Sequence, residues 1–354
     1  MEWIGAVYGG DVIVYKQWAP DQPELNSDVL LTANNVIPDS GSYSPFRPLE
    51  PVRSGSFTLP GIPSGGFVAE LEYPNNPAYV YYAATSSRIY MANPAVGSGT
   101  FNSVSTGMST ASPINDCNFA QYGSLVYAAR GIDGIQVHTA GSASNFTTVA
   151  GLTGSRDGRY IFTVGQFLVV ANLGSATARV GGYGGDQYAI VVQTGAITRM
   201  TYVGPPVVFQ FDRIDQKKGQ QRRYGGAASG QIVYFQSSDG FWKTDGVSNV
   251  SVGDGRVNKT FLANAADDIG PGAVTAGAMM DCAFHHVTKQ IYWSFPVGST
   301  TNSNKLYIYS TSEDKWTSAD QVMRTFIEPS PSCHKAERRE FWNRSCHDGK
   351  DRLS

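Results

Sequence analysis

The sequence is poor in charge. Asp, Glu, Lys and Arg make up 16% of its 354 residues and nearly cancel, leaving a formal net charge of −2. Nothing in that balance calls for nucleic acid or an anionic membrane as a bulk partner. Long apolar runs are missing too: no stretch approaches the roughly 20 residues of a membrane helix. No membrane insertion is therefore expected. The opening M-E-W-I-G-A-V-Y has neither a basic flank nor an extended apolar core, so no secretory signal is expected. Cysteine is scarce. Cys117, Cys282, Cys333 and Cys346 lie far apart without C-x-x-C spacing, which reads as free thiols made in a reducing compartment. A Cys333–Cys346 bridge, or a metal site with His334 and His347, is the alternative. Each Cys is directly followed by its His, an awkward spacing for two ligands on one ion.

The motifs of common chemistry are also missing. There is no G-x-x-x-x-G-K-[ST] phosphate loop, no H-E-x-x-H zinc helix and no G-x-S-x-G elbow. The glycine run Gly181 to Gly185 before Asp186 has no helix after it to supply an anion-binding terminus, so it reads as a flexible loop. His285 and His286 are adjacent, and in a strand they face opposite ways, so a structural role is favoured over a general base. Asp267 and Asp268 are adjacent for the same poor reason, in a segment from Phe261 that reads as a loop or short helical turn. The turn S-S-D-G-F-W lacks the full spacing of a sialidase Asp-box. The chain is read as a non-enzyme with no cofactor and no metal.

What the chain does have is glycine, 39 residues, and tyrosine, 19, the composition of a turn-rich all-β protein. A hairpin theme repeats from Tyr79, Ser124, Arg159, Ala196, Gln231 and Gln290, the last pairing with the run from Lys305. The first five starts are roughly 35 to 45 residues apart, close to the ~40–50 residues of a propeller blade. Asp-Gly pairs at Asp133, Asp239 and Asp245 supply tight turns. A radial ring also explains how so many strands avoid open edges. The fold expected is an all-β β-propeller of about five to seven blades with an extended N-terminal arm; a pair of β-sandwiches is the alternative. Three parts are expected: an arm and docking segment over 1–60, the propeller over 61–328, and a charged tail over 329–354. That tail reads as disordered or loosely docked; a partner-binding peptide or a truncated domain are the other readings.

Trp18 to Pro48 is dense in Pro and Asn and shows no helical or strand period. Such a segment is ordered only by lying across something else. Trp18, Leu25, Tyr43 and Phe46 are its anchors, either as assembly contacts with neighbouring subunits or as packing onto the chain's own propeller. Removing residues 1–48 is expected to leave the β fold intact. The one compact basic cluster before the tail, Lys217, Lys218, Arg222 and Arg223, reads either as a solvated loop or as a contact with DNA phosphates or an acidic neighbour.

Several of these segments are similar to one known family. The arm, W-x-P-D-x-P-x-L-N with A-x-N-V-I-P and S-Y-x-P, resembles the N-terminal region of bacteriophage tail hub or nozzle proteins, the packaged-DNA-stabilisation proteins of short-tailed phages. The likeness continues in I-T-R-M-T-Y-V-G-P-P-V-V-F-Q-F-D-R-I from Ile197 and V-Y-F-Q-S-S-D-G-F-W from Val233. It extends to G-D-G-R-V-N-K-T-F from Gly253 and K-L-Y-I-Y-S-T-S-E-D-K-W-T from Lys305. It spans roughly residues 18 to 320, and the family pattern is not visible after about Glu328. The family's tighter G-G-Y-x-P reads Ser40-Gly41-Ser42-Tyr43-Ser44-Pro45 here. The resemblance implies a structural protein of the virion tail, assembled in the host cytoplasm. It implies a ring of six below the portal and adaptor proteins, retaining packaged double-stranded DNA and conducting it during ejection. Partners would be other copies of the chain, the portal–adaptor proteins and other tail proteins. The alternatives are a receptor- or glycan-binding propeller at the tail tip and, less favoured, a propeller glycosidase.

Overall fold

The structure is a computed structural model describing residues 17–23, 29–47, 59–61, 63–71, 78–92, 101–106, 108, 117–150, 158–172, 180–222, 224–265, 280–297, 303–323, 326 and 328–329. Asp267, Asp268, Cys333, His334, Cys346 and His347 lie outside the described residues, as does nearly all of the expected tail.

The arm is not strand-free. A short hairpin, β1 (Val36–Asp39) and β2 (Ser42–Pro45), forms within it. Its turn has Ser40 and Gly41 both at positive φ, 48° and 81°, the geometry that matches the twist of paired strands. The Pro-rich context hides this signal, because each strand is only four residues long.

The propeller follows. The first blade holds β3 (Pro63–Leu71), β4 (Ala78–Thr85), β5 (Ile89–Ala92) and β6 (Asn102–Ser103). The second is β7 (Asn118–Tyr122), β8 (Leu125–Ala129), β9 (Ile135–Thr139) and β10 (Thr147–Thr148). A two-strand sheet comes next, β11 (Tyr160–Val164) with β12 (Phe167–Ala171). Then comes a blade of β13 (Val180–Tyr183), β14 (Tyr188–Gln193), β15 (Ala196–Gly204) and β16 (Val208–Asp215). It is followed by one of β17 (Gly226–Ser229), β18 (Ile232–Ser237), β19 (Gly240–Thr244) and β20 (Asn249–Ser251). A helix, α1 (Asn258–Ala265), precedes the last blade. That blade is β21 (Asp281–His285), β22 (Gln290–Phe295), β23 (Ser303–Ser310) and β24 (Lys315–Met323). The chain is thus a β-propeller, with five blades of four or more strands among the described residues and the β11–β12 pair between the second and third. Four of the six repeated hairpins (β4–β5, β8–β9, β18–β19 and β22–β23) supply the centre of a sheet, the one from Arg159 is the β11–β12 pair itself, and the one from Ala196 forms the outer edge of its blade as β15–β16.

Within each blade neighbouring strands pair antiparallel in chain order. The innermost strands meet around the axis: β3 against β7, β7 against β11, β11 against β13, β13 against β17, and β17 against β21. The ring closes with β25 (Glu328–Pro329), which pairs parallel to β3 at Phe67 and Val68. Just before it, the Phe326 N–H donates to Asp281 Oδ2 at 2.6 Å. The returning chain therefore lies between the innermost strands of the last and first blades.

Those inner strands pack as close as backbone allows. A Cβ on Gly65 would sit 2.1 Å from the Cys117 carbonyl oxygen, one on Gly182 would sit 2.0 Å from the Phe162 ring, and one on Gly184 would sit 1.7 Å from the Thr163 carbonyl oxygen. This corrects the loop reading for Gly181 and Gly182, which lie in β13, while Gly184 to Asp186 follow the strand as a loop; at Gly182 and Gly184 a side chain would collide with Phe162 and Thr163 of the neighbouring β11.

Candidate functional site

The arm is built into the fold. Trp18 is 5% exposed and meets Tyr307 edge-on at 5.2 Å, in an aromatic core that includes Phe241, Phe261, Trp293 and Trp316. Its indole N–H donates to the Leu31 carbonyl at 3.0 Å. Asp21 accepts from the backbone N–H groups of Lys259 and Thr260, both at 2.8 Å, and so caps α1 from more than two hundred residues away. The next stretch acts as an extra strand on the last blade: the Asn35 N–H donates to the Ser318 carbonyl, and the Ser318 N–H donates to the Ala33 carbonyl. Lys305 Nζ joins Asn34 to Asp320. Phe46 packs with Leu306, Ile308 and Ala319. Tyr43 is half-buried, with Lys315 Nζ 5.6 Å from its ring centre. Leu25 lies outside the described residues. Of the two readings of these anchors, packing onto the chain's own propeller describes Trp18 and Phe46. Trp18 has almost no surface left for a neighbour, because its indole is core.

The basic cluster does not form one patch. Lys217 is exposed, whereas Lys218 is paired with Asp239 and sits 4.3 Å from the Trp242 ring centre. Arg222 is buried, and Arg223 lies outside the described residues. The loop is anchored by Asp215, which accepts from the N–H groups of Lys217 and Lys218 at 2.7 and 2.9 Å and from Asn249 at 2.7 Å. These bonds hold the Asp215 carboxyl below its usual range against the opposing effect of burial. A phosphate track needs several cations facing one way, and here three side chains take three different environments.

The histidines are structural in their contacts. His285 Nδ1 accepts from the Thr288 N–H at 3.2 Å, and the ring meets Tyr292 edge-on. Burial pushes His285 down to about 4. His286 stands edge-on to Phe284. The sequence reading passes over a third one: His138 is buried between Tyr82 and Phe146, its Nδ1 2.9 Å from Tyr82 Oη and its Nε2 3.0 Å from the Ser144 carbonyl. Burial holds it below its usual value. Among the described residues no group of three or more His, Cys, Asp and Glu is placed to hold a metal ion, and no helix is long and apolar enough to cross a membrane.

Among the described residues, the β15–β16 hairpin gathers the largest group of exposed large apolar side chains. β14 pairs with β15 only as far as Tyr188 opposite Thr201. Beyond that point β15 and β16 pair with each other alone, through Tyr202 opposite Phe209 and Gly204 opposite Val208. Three residues of β15 (Tyr202, Val203 and Gly204) and two of β16 (Val208 and Phe209) therefore overhang the sheet, about 7–10 Å at ~3.4 Å per residue. The tip is Gly204-Pro205-Pro206-Val207. Val207 is 66% exposed, Val203 48%, Tyr202 46% and, lower on the edge strand, Phe211 64%. At the root, Phe167 lies 5.0 Å from both Tyr202 and Phe209, ring to ring. Val208 stands at φ 65°, a region a β-branched residue enters at a cost of about 1–3 kcal/mol. Sequence reasoning found this hairpin as a blade repeat but missed its exposure. A signal was there: Met200 to Phe211 is an uncharged run of mostly large apolar residues around Gly-Pro-Pro.

No protein-family model matches the chain, and no curated protein does either. Solved structures with a similar chain path include a protein described as functionally unknown from Desulfotomaculum acetoxidans, 9% identical, with TM-score 0.42, 75% of this chain covered and 86% of that one. Another is a chain of a mitotic checkpoint complex, 9% identical, TM-score 0.38, with 71% and 80% covered. A third is Hsv2 of a Kluyveromyces species (K. marxianus), 8% identical, TM-score 0.31, with 69% and 60% covered. At these levels the likeness concerns chain path and says nothing of activity. The chain's own sheets make it an all-β propeller with an N-terminal arm packed onto its last blade.

Proposed function

We propose that this chain is a non-enzymatic structural subunit of a bacteriophage tail, a hub or nozzle propeller. It works with other copies of itself in a ring of six, below the portal and adaptor, and conducts packaged DNA. The observation that carries this reading is the ordered set of segments similar to the tail hub family. They fall in turn on the arm, the β15–β16 hairpin, β18–β19, the entry to α1 and β23–β24. Two physical points support it. Neighbouring blades pack their glycine-bearing inner strands directly against each other, which suits a fixed building block of a ring. Asp212, Asp215, Asp245, Asp314 and Asp320, the described carboxyls whose pKa moves, all move down, whereas a general acid needs the opposite.

A conduit must not hold its cargo. Binding to duplex DNA should be no tighter than about 10⁻⁵ M at physiological salt, within the non-specific range. Fluorescence anisotropy with labelled duplex checks this, and sub-micromolar binding contradicts the conduit. Co-sedimentation with the portal–adaptor complex tests the assembly half; a chain that stays in the supernatant contradicts it. A second reading, a receptor-binding propeller at the tail tip, is favoured by one observation, the exposed aromatic side chains of Tyr202 and Phe211. Specific, saturable capture on a glycan array would select it.

A further inference from the structure

We propose that the β15–β16 hairpin is a lipid-contacting finger that seats its tip in the interfacial layer of a bilayer. This goes beyond the tail reading and does not depend on it. It also departs from the expectation of no membrane insertion, which considered only apolar runs long enough for a helix; a finger can lie in the interface without spanning.

The argument is the order of chemistry along the hairpin. At the tip, Val203 to Val208 carries only apolar side chains and glycine. The two prolines have no N–H to leave unpaired, and the Phe209 N–H donates to the Val207 carbonyl at 2.8 Å. Few backbone donors are then stranded where water is scarce. Next come Tyr202 and the partly buried Phe209, both buttressed by Phe167, with Phe211 exposed beyond them; Tyr favours membrane interfaces, and Phe suits the apolar face of an interfacial segment. Charge returns only behind these rings. Arg213 is exposed there, and Arg199 is paired with Asp212. Arg213 is five residues from Val208, about 17 Å at ~3.4 Å per residue. An interfacial segment sinks its apolar face about 5–10 Å into the headgroup–acyl boundary, and the headgroup layer adds about 5–7 Å on each side. A seated tip thus leaves Arg213 at the phosphates, a charge match that a flat apolar patch does not provide. A glycan is the poorer occupant, because reading hydroxyls takes several polar groups. From Tyr202 to Phe211 the side chains offer only the Tyr202 hydroxyl and the Gln210 amide, and that amide already donates to Asp212 at 2.7 Å.

The test is flotation of the full chain with vesicles of phosphatidylcholine containing a minority of phosphatidylglycerol. The wild type should float, at low and at high salt. Val207→Asp and, independently, Phe211→Ser should bind about tenfold or more weakly, with unchanged melting temperatures. Val247→Asp, the same change at an exposed valine on the β19–β20 turn, should float like the wild type. The proposal is overturned if the wild type does not float, or if all four proteins float alike. It is also overturned if flotation disappears at high salt, or if the hairpin variants lose only self-association or glycan capture, which would make a second copy or a sugar the occupant. Ring formation is scored separately by light scattering without vesicles, so failure here and failure of the tail reading are distinguishable.

Discussion

Single side chains in this protein tie distant segments together, and they carry the sharpest predictions. Trp18 is core although it stands near the start of the arm. Trp18→Ala should cost about 3–5 kcal/mol, the usual range for deleting a buried large aromatic, and lower the melting temperature measured by circular dichroism. An unchanged melt would mean that the arm is not docked. His285 sets a pH response. Its folded value, about 4, lies below its ordinary value near 6.5, so the unfolded chain takes up the proton first. The stability it contributes is present above about pH 6.5 and is lost as pH falls towards 4. His138 shifts in the same direction. Melting temperatures followed between pH 7 and 4.5 should fall less steeply in His285→Gln than in the wild type. Equal slopes would place the burial elsewhere.

Elements interlock through backbone contact as much as through side chains. Gly184→Ala should cost about 1–3 kcal/mol or more by overpacking, since its Cβ would fall 1.7 Å from a neighbouring carbonyl. A denaturant midpoint equal to wild type would show that the inner strands are looser than described. The arm is likewise not separable. It caps α1 through Asp21 and extends the last blade through Ala33 to Asn35, so deleting residues 1–48 should destabilise that blade rather than leave the fold untouched. Asp21→Ala alone should cost about 1 kcal/mol, read as a shifted unfolding midpoint; no shift would rule out the cap. These ties explain what was legible beforehand. The six hairpins were readable because alternation and Asp-Gly turns are local signals. The β1–β2 hairpin was hidden by its prolines and short strands. The glycine run misled because its cause, the ring of Phe162 two strands away, is not local. The overhang of β15–β16 depends on where β14 stops pairing, which no single strand's pattern reveals. The basic cluster looked coherent in sequence and came apart in space.

At the scale of the whole molecule, the ends close the ring from both sides. The arm lies on the last blade, and β25 enters between the last blade and the first. This leaves a molecule with tightly packed inner strands, a near-neutral charge and, among the described residues, a projecting apolar hairpin, which suits a subunit more than a solitary catalyst. The central claim is that copies of this chain build a ring around a passage. Negative-stain electron microscopy of the purified protein at high concentration, alone and with a portal–adaptor complex, tests it most directly. The account predicts six-fold rings with a central hole wide enough for duplex DNA. Isolated single discs in both samples would contradict it.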